Sequence, residues 1–403
     1  MANLKPIAEA LAQICSDIAP LPIQSMPLSM ASGRLLEDDI IAGTHHPLAD
    51  MSAMDGYGVR ASDTTDGSVL SVIGESAAGH PYTKPLGPNQ AVRIYTGAYV
   101  PEGCDSIILQ EEVSENNNII TPPAPVQAGR FIRKRGQDFA RDDILVPKGT
   151  ILNARAIALS ALGLQSYVKV RKKPHIAIIS SGDELVSLGA IPRFGQLINS
   201  NAVFLSQALS QAGAQVTDLG ILPDEPGALS SVLSDPSQFD LIVTTGGASV
   251  GKYDHIVSDL ETSSDMALDF WKIAMRPGKP LIYGHIGQTP LIGLPGNPVS
   301  VAICTLVFLR PVLGHMMGVS HLNIEPQTAI CDVTLGENDQ RQDYLRAIAT
   351  KQNNKWSVMP FDKQDSAMMK KLAMANAVII RPPFDKAIQS GDEVQFALLP
   401  DGF

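Results

Sequence analysis

The sequence is poor in the residues that build redox or metal scaffolds. Its 403 residues include four cysteines, Cys15, Cys104, Cys304 and Cys331, far apart and without a CxxC pair. Such spacing supports neither a disulfide framework nor a structural zinc site, and it fits a reducing cytoplasm. Long apolar runs are missing as well. The longest, VAICTLVFL at 301–309, is too short to span a bilayer and ends at Arg310. The N-terminal MANLKPIAEALAQIC is interrupted by polar residues at helical spacing and has no signal-peptide apolar centre. Positive charge is in deficit, with a formal net charge of -10. That field repels nucleic acid and anionic membranes, so an anionic ligand has to be met by local positive charge. Walker A, HExxH, GxSxG and complete GxGxxG motifs are absent, which weighs against a P-loop NTPase, a zincin, an α/β-hydrolase and an ordinary dinucleotide enzyme.

What remains is a soluble globular composition, 44% hydrophobic and 18% charged, in a chain long enough for several domains. From 173 to about 318, strand patterns at 175–180, 214–222, 239–245 and 280–286 alternate with helix patterns at 201–213 and 226–235. This alternation predicts βαβ units and a parallel sheet with helices on both faces, whose ligands sit at the carboxyl ends of the strands. A last buried helix is expected to open at GLPGNPVS, with Asn297 as N-cap and Pro298 in the first turn. Residues 44–138 carry short alternating segments between Gly, Pro and Asn clusters, which predict a β-rich insert. Helix-like patterns flank it, PIAEALAQICSDIA and MASGRLLEDDIIA before, NARAIALSALG and YVKVRKK after. The expected organisation is therefore a discontinuous, partly helical domain (1–43 and 139–172), the insert (44–138), an α/β domain (173–318) and a small β-rich C-terminal domain (319–403).

The run TTGGASVGKYD joins a strand to Gly246 and Gly247, then Ser249, Gly251 and Asp254. It reads either as a glycine cradle pointing amides at a phosphate, with Asp254 as ligand for its cation, or as a tight βα turn with a capping Asp. Acids also follow the other strands: Asp183 and Glu184 in ISSGDEL, Asp224 and Glu225 in LPDEP. Singly, each is a cap or turn residue; as a set they converge on one sheet edge and make a cation and phosphate site. Lys272, Arg276 and Lys279 in WKIAMRPGKP are either phosphate partners or a solvated strand. Arg130, Arg133, Lys134 and Arg135 read as a solvated face. Asp55 in MSAMDGYGVR and Thr96 in RIYTGAYVPEG read locally as turn chemistry, and the adjacent His45 and His46 point apart and take no role.

Together SAMDGYGVR, AVRIYTGAYVPEGCDSIILQEE, RGQD, ISSGDEL, TTGGASVGKYD, WKIAMRPGKP and GLPGNPVS resemble, in order, the molybdopterin molybdenumtransferase family, MoeA in bacteria and the gephyrin E domain in animals. The resemblance implies a homodimer of four-domain subunits, with a molybdopterin-binding α/β domain, a C-terminal β-barrel-like domain, and a site shared between subunits. It also implies insertion of molybdenum from molybdate into adenylylated molybdopterin, with release of AMP, helped by a divalent cation, usually Mg2+, and contact with other molybdenum cofactor biosynthesis proteins. Functional positions carry over to Asp55, Thr96, Asp138, Glu184, Asp224, Asp254, Lys272, Arg276, Pro295 and Pro298. On this reading Glu184, Asp224 and Asp254 serve metal and substrate in one subunit, while Asp55, Thr96 and Asp138 approach from the other. Lys272 and Arg276 contact molybdate or phosphate, and Pro295 and Pro298 shape the loop. Arg276 stands where the family usually has Lys, HHPLADMSAMDG replaces a Pro-Pro-Phe-Asp-Asn-type lead, and Ser180-Ser181 replaces Ser-Thr. Two other classes stay in view: a molybdopterin-binding scaffold, disfavoured because no extra linker or partner domain is present, and a molybdopterin adenylyltransferase, disfavoured by the Asp55 and Thr96 motifs. Asp254→Ala is expected to keep fold and dimer, read by circular dichroism and light scattering, but to lose turnover; unchanged activity would remove Asp254 from the site.

Overall fold

The computed structural model describes residues 4–123, 125–225, 227–233, 235–246, 255–262, 266–401 and 403. The chain divides into two compact units, Gln24–Val170 and Met1–Ile23 with Arg171–Phe403.

In the unit Gln24–Val170, a six-stranded sheet curls into a half-barrel. Its strands are β1 (Gly56–Val59), β2 (Leu70–Ser76), β3 (Gln90–Ile94), β4 (Ser106–Leu109), β5 (Ser114–Asn116) and β6 (Ile119–Thr121). They lie in the order β4-β1-β3-β2-β6-β5, with β1 antiparallel to β3 and β4, and β2 parallel to β3. Tyr57, Val59, Leu70, Ala91, Ile108 and Ile120 fill its core. A second core in this unit gathers Leu28, Leu36, Ile40, Val146, Leu152 and Val170, with helix Ala154–Leu162 beside it. Asn153 caps that helix by accepting from the Ala156 N–H at 3.0 Å.

Two of the expected flanking helices are not helices. Residues 30–42 contribute only the end of the 3-10 turn Leu28–Met30 and the short strand Ile40–Ile41, which pairs with Ile144–Val146. Gly33 at φ +72° breaks the helical path, and the Leu36 N–H goes to the Thr150 carbonyl instead. Tyr167–Arg171 is likewise a strand, since its burial alternates with period two. The helix Ile7–Asp17, by contrast, forms as its periodicity predicts, and its Ala10 and Ile14 are buried in the α/β core of the other unit.

That α/β core surrounds a six-stranded sheet: β7 (His175–Ser181), β8 (Gln215–Leu222), β9 (Leu241–Thr245), β10 (Met266–Trp271), β11 (Ile282–Ile286) and β12 (Thr289–Leu294). The order is β8-β7-β9-β12-β11-β10. Along β7, Ile176 and Ile178 enter one apolar core while Ala177 and Ile179 enter the other, so the strand is covered on both faces. The first four strands are parallel, but β11 runs antiparallel to both of its neighbours, β12 and β10, which corrects the expectation for 280–286. The cause is a two-residue turn: Ile286 pairs with Thr289 across Gly287 (φ +58°), and such a loop joins only antiparallel strands.

Helical structure runs from Pro298 to Met317 as Pro298–Cys304, a π-helical stretch Thr305–Leu309 and Arg310–Met317. The apolar segment is therefore longer than the nine residues read as its core. Its mean hydropathy of 1.7 is explained by burial, since 94% of its most apolar window lies inside the protein. The C-terminal region closes into a five-stranded barrel of β13 (Gln327–Cys331), β14 (Gln342–Gln352), β15 (Lys355–Pro360), β16 (Ala377–Arg381) and β17 (Glu393–Leu398). Pairing runs β14-β15-β13-β17-β16 and back to β14, which leaves no open edge among these strands. Buried Arg346 pins the loop after β15, donating to Gln364 Oε1 and to the carbonyls of Lys363, Asp365 and Met368. The same loop meets the helix opening at Pro298, where the Val299 N–H donates to the Ser366 carbonyl at 3.0 Å.

Phe308 is fully buried at the middle of that helix. Phe308→Ala is expected to cost its unit about 3–5 kcal/mol, read as a lower urea midpoint; an unchanged midpoint would place Phe308 outside the core.

Candidate functional site

A strand enclosed on both faces has room for polar side chains only at its end, and there the sequence supplies Ser180, Ser181, Gly182, Asp183 and Glu184. The buried Ser180 hydroxyl accepts from Asn199 Nδ2 at 2.9 Å, while Asn199 Oδ1 accepts from the Ala202 N–H and caps helix Ser200–Gln211. Ser181 Oγ donates to Asp224 Oδ1 at 2.7 Å. The Asp224 N–H donates to Asp183 Oδ1 at 3.1 Å, and the Asp183 N–H returns to Asp224 Oδ2 at 3.4 Å. Parallel register places Ser181 beside Leu222, so the turns carrying Asp183 and Asp224 start level with each other. Glu184 folds back over Gly182, its Oε2 standing 2.6 Å from where a Gly182 Cβ would be. Glu184 and Asp224, both expected at this edge, thus share it.

The neighbouring strand end is laced to the GLPGN loop. Thr245 Oγ1 accepts from Asn201 Nδ2 at 3.0 Å and lies 3.5 Å from the Pro295 carbonyl, to which it donates; Asn201 Nδ2 also donates to the Gly296 carbonyl at 2.7 Å. Gly246 has φ +87°, and an added Cβ would stand 2.1 Å from the Ser181 carbonyl, so no side chain fits. Its N–H donates to the Leu294 carbonyl at 3.3 Å, so this amide is engaged within the turn rather than aimed at a ligand. Pro298 occupies the first helical position after Asn297, whose side chain makes no capping bond. Gly247, Ser249, Gly251 and Asp254 lie outside the described residues.

Among the basic candidates, Arg276 is already bound. Its Nε donates to Asp343 Oδ1 at 2.8 Å, Nη2 meets the other Asp343 oxygen and Asn338, and Nη1 reaches Asp339 at 3.4 Å. Asp343 is buried, so the fork serves as its counter-charge at the barrel strand β14. Lys272 has φ +80°, and its N–H and carbonyl bond to Leu281 and Lys5. Lys279 is exposed, and its carbonyl accepts from the Ile273 N–H.

In the other unit, Asp55 immediately precedes β1 and Thr96 follows β3, which pair antiparallel. Asp55 Oδ1 accepts from both the Thr96 N–H at 2.7 Å and the Thr96 hydroxyl at 2.8 Å. These bonds, the backbone one foremost and aided by Arg93, hold the Asp55 carboxyl below its ordinary range. Asp138 is exposed and hangs from the bridge between His46 and Phe139, its N–H donating to the His46 carbonyl at 3.0 Å. Two members of the basic run are structural: Arg130 grips Glu112 with both terminal nitrogens, and Lys134 pairs with Asp50 at 2.7 Å. His45 Nδ1 accepts from the Arg141 N–H and His46 stacks on Phe139.

Asn199, Asn201, Ser181 and Thr245 were not among the expected site residues, although they order both strand ends. An Asn directly before a helical pattern was the available signal for Asn199. Among the described residues no trio of His, Cys, Asp or Glu draws together tightly enough to hold a metal ion.

A depressed Asp55 pKa means that its ionised form stabilises the fold above the ordinary carboxyl range, and that this contribution is lost as pH falls through the folded value. Thr96→Val removes the hydroxyl bond and is expected to move the Asp55 pKa upward in a carboxyl NMR titration. An unmoved pKa would leave the backbone N–H alone responsible.

Family models match the chain in three consecutive stretches: the MoeA N-terminal region (domain I and II) at 5–163, a probable molybdopterin binding domain at 177–315, and the MoeA C-terminal region (domain IV) at 328–399. The chain is 35% identical over 335 residues to the molybdopterin molybdenumtransferase of Haemophilus influenzae, covering 82% of each. It is 32% identical over 408 residues to that of Bacillus subtilis, covering 98% of this chain and 94% of the relative. Two solved MoeA protein structures from Pyrococcus horikoshii match with TM-scores of 0.81 and 0.74 at 29% and 27% identity, covering 98% of this chain and 99% and 100% of theirs. With three MoeA-type regions in order and relatives alike over nearly the full length, the chain belongs to the MoeA family, the molybdopterin molybdenumtransferases.

Proposed function

We propose that this chain inserts molybdenum from molybdate into adenylylated molybdopterin and releases AMP. The observation that carries the reading is the carboxyl edge of β7 and β8. There Ser181, Asp183, Glu184 and Asp224 form an oxygen-rich face beside the Gly246 turn, within the stretch that matches the molybdopterin binding domain.

The donor chemistry suits a hard divalent cation: Glu184 and Asp224 present carboxylate oxygens and no nitrogen or sulfur, and the sequence offers Asp254 as a third carboxylate. Magnesium held by these residues would neutralise charge on the diphosphate as the phosphorus–oxygen bond to AMP breaks. The chain's own part is positional. Ser181 and the Asp183 amide fix Asp224, so its carboxylate reaches the substrate in one orientation. The Gly246 turn, packed against the Ser181 carbonyl where no side chain fits, locks the ends of β7 and β9 together beside that face. Lys272 and Lys279 supply positive charge for molybdate or phosphate. Arg276 is the weaker candidate for that role, since its fork is committed to Asp343.

The reading includes a cytoplasmic homodimer in which Asp55, Thr96 and Asp138 of one subunit meet the α/β domain of the other. An apolar strip supports self-association: Ile41 and Ile144 are a cross-strand pair exposed at 38% and 59%, with Leu164 exposed at 66% beside Gly43.

Purified protein is expected to release AMP from adenylylated molybdopterin plus magnesium only when molybdate is added, and to scatter light as twice its 43.0 kDa chain mass. Molybdate-independent AMP release, or none, would refute the transferase. Consumption of ATP with free molybdopterin would instead identify an adenylyltransferase, and a monomeric mass would refute the shared site.

A further inference from the structure

The apolar run 301–309 ends at Arg310, and the charge placed there is left unanswered. Arg310 opens the helical stretch Arg310–Met317 and is half-buried, with its Nε wholly enclosed and meeting no acceptor. Among the described residues its guanidinium makes no hydrogen bond and no ion pair. A guanidinium keeps its proton throughout the ordinary pH range, so it cannot escape this position by neutralising as a buried lysine can. Burial pushes its pKa below the usual arginine value, yet the charge remains.

A second basic group is brought to the same place by the chain that follows. Gly314 lies one turn beyond Arg310 on the same helix face. Its lack of a side chain lets the next segment fold back across that face: the Val319 carbonyl oxygen stands 2.6 Å from where a Gly314 Cβ would be, and the Val319 N–H donates to the Gly314 carbonyl at 2.8 Å. Leu322 is buried by this fold-back, while His321 stays at the surface near Arg310. Burial, and then the Arg310 charge, hold the His321 imidazole below its ordinary pKa. No carboxylate compensates. Among the described residues neither Arg310 nor His321 makes an ion pair, Glu325 on the same segment included. His315, the other titratable group of the helical stretch, is turned away to the Ile18 carbonyl at 2.7 Å.

We propose that Arg310 and His321 form a surface site for a tetrahedral oxyanion of the sulfate or phosphate type. The guanidinium fork offers paired N–H donors to two oxygens, and the imidazole, arriving from a different segment, offers a donor to a third. Three donors on two elements suit a tetrahedral anion better than a planar one. The occupant neutralises the half-buried charge and fastens the segment 318–324 to the helix, just before the chain enters β13. This site does not rest on the molybdenumtransferase reading, and no covalent step is assigned to it.

Isothermal titration of the full chain with sodium sulfate, against sodium chloride at equal ionic strength, tests the site. Sulfate is expected to bind, with affinity falling about tenfold in Arg310→Gln and about threefold in His321→Gln. Arg310→Lys, which keeps the charge without the fork, should recover part of the loss. The His321 imidazole, followed by NMR, should titrate at higher pH once sulfate is added and should not move in Arg310→Gln, a response that general salt stabilisation does not produce. If Arg310→Gln fails to fold, His321→Gln and the imidazole titration of the unsubstituted chain decide the matter. Absence of sulfate binding, equal binding by the unsubstituted chain and both Gln variants, or an imidazole as responsive to chloride as to sulfate would overturn the site. No binding together with a dimer that dissociates in Arg310→Gln would overturn it in favour of a carboxylate from a second copy of the chain.

Discussion

Enclosure of β7 on both faces is the constraint on which the α/β unit depends. A strand between two apolar cores has to be apolar along its length, and Ile176, Ala177, Ile178 and Ile179 satisfy that requirement without a gap. The polar residues of ISSGDEL are then confined to its carboxyl end. Parallel pairing with β8 and β9 brings the following turns to the same edge, so a packing requirement concentrates hydroxyls and carboxylates where a phosphate ester has access.

Among the described residues, that edge is held by reciprocal bonds rather than by counter-charges. Asp183 and Asp224 exchange backbone N–H donors, Ser181 donates to Asp224, and two asparagines tie the strand ends to a helix start and to the GLPGN loop. Neutral donors orient carboxylates while leaving their charge available to a cation, whereas an Arg partner would cancel it. Asp55 follows the same rule in the insert, held by the two donors of Thr96. Arg276 shows the contrast: its guanidinium neutralises buried Asp343, and this commitment ties the WKIAMRPGKP segment to the barrel.

Much of this was legible in the residues. The apolar runs at 175–180, 214–222 and 239–245 announce the strands His175–Ser181, Gln215–Leu222 and Leu241–Thr245, and the Asn-Pro start announces the helix at Pro298. Convergence of Glu184 and Asp224 followed from parallel topology alone. Other features depended on signals that composition does not carry. The antiparallel turn at Gly287 lies just past the run read as a strand at 280–286, and a two-residue loop leaves little punctuation to announce the returning strand Thr289–Leu294. Residues 30–42 have helical spacing, but Gly33 and pairing to distant segments override it. The partner of Arg276 lies 67 positions away in sequence, and local reading had no means of finding it. Asp254 lies outside the described residues.

On the proposed function, the acid edge of β7 and β8 serves transfer of molybdenum onto the pterin, coupled to loss of AMP. The most direct measurement separates the pterin from the protein after reaction and quantifies molybdenum on it beside the AMP formed. Molybdenum rising in proportion to AMP, and both falling away in Asp224→Asn, is the predicted result. AMP formed with no molybdenum on the pterin, or full transfer by Asp224→Asn, would contradict it.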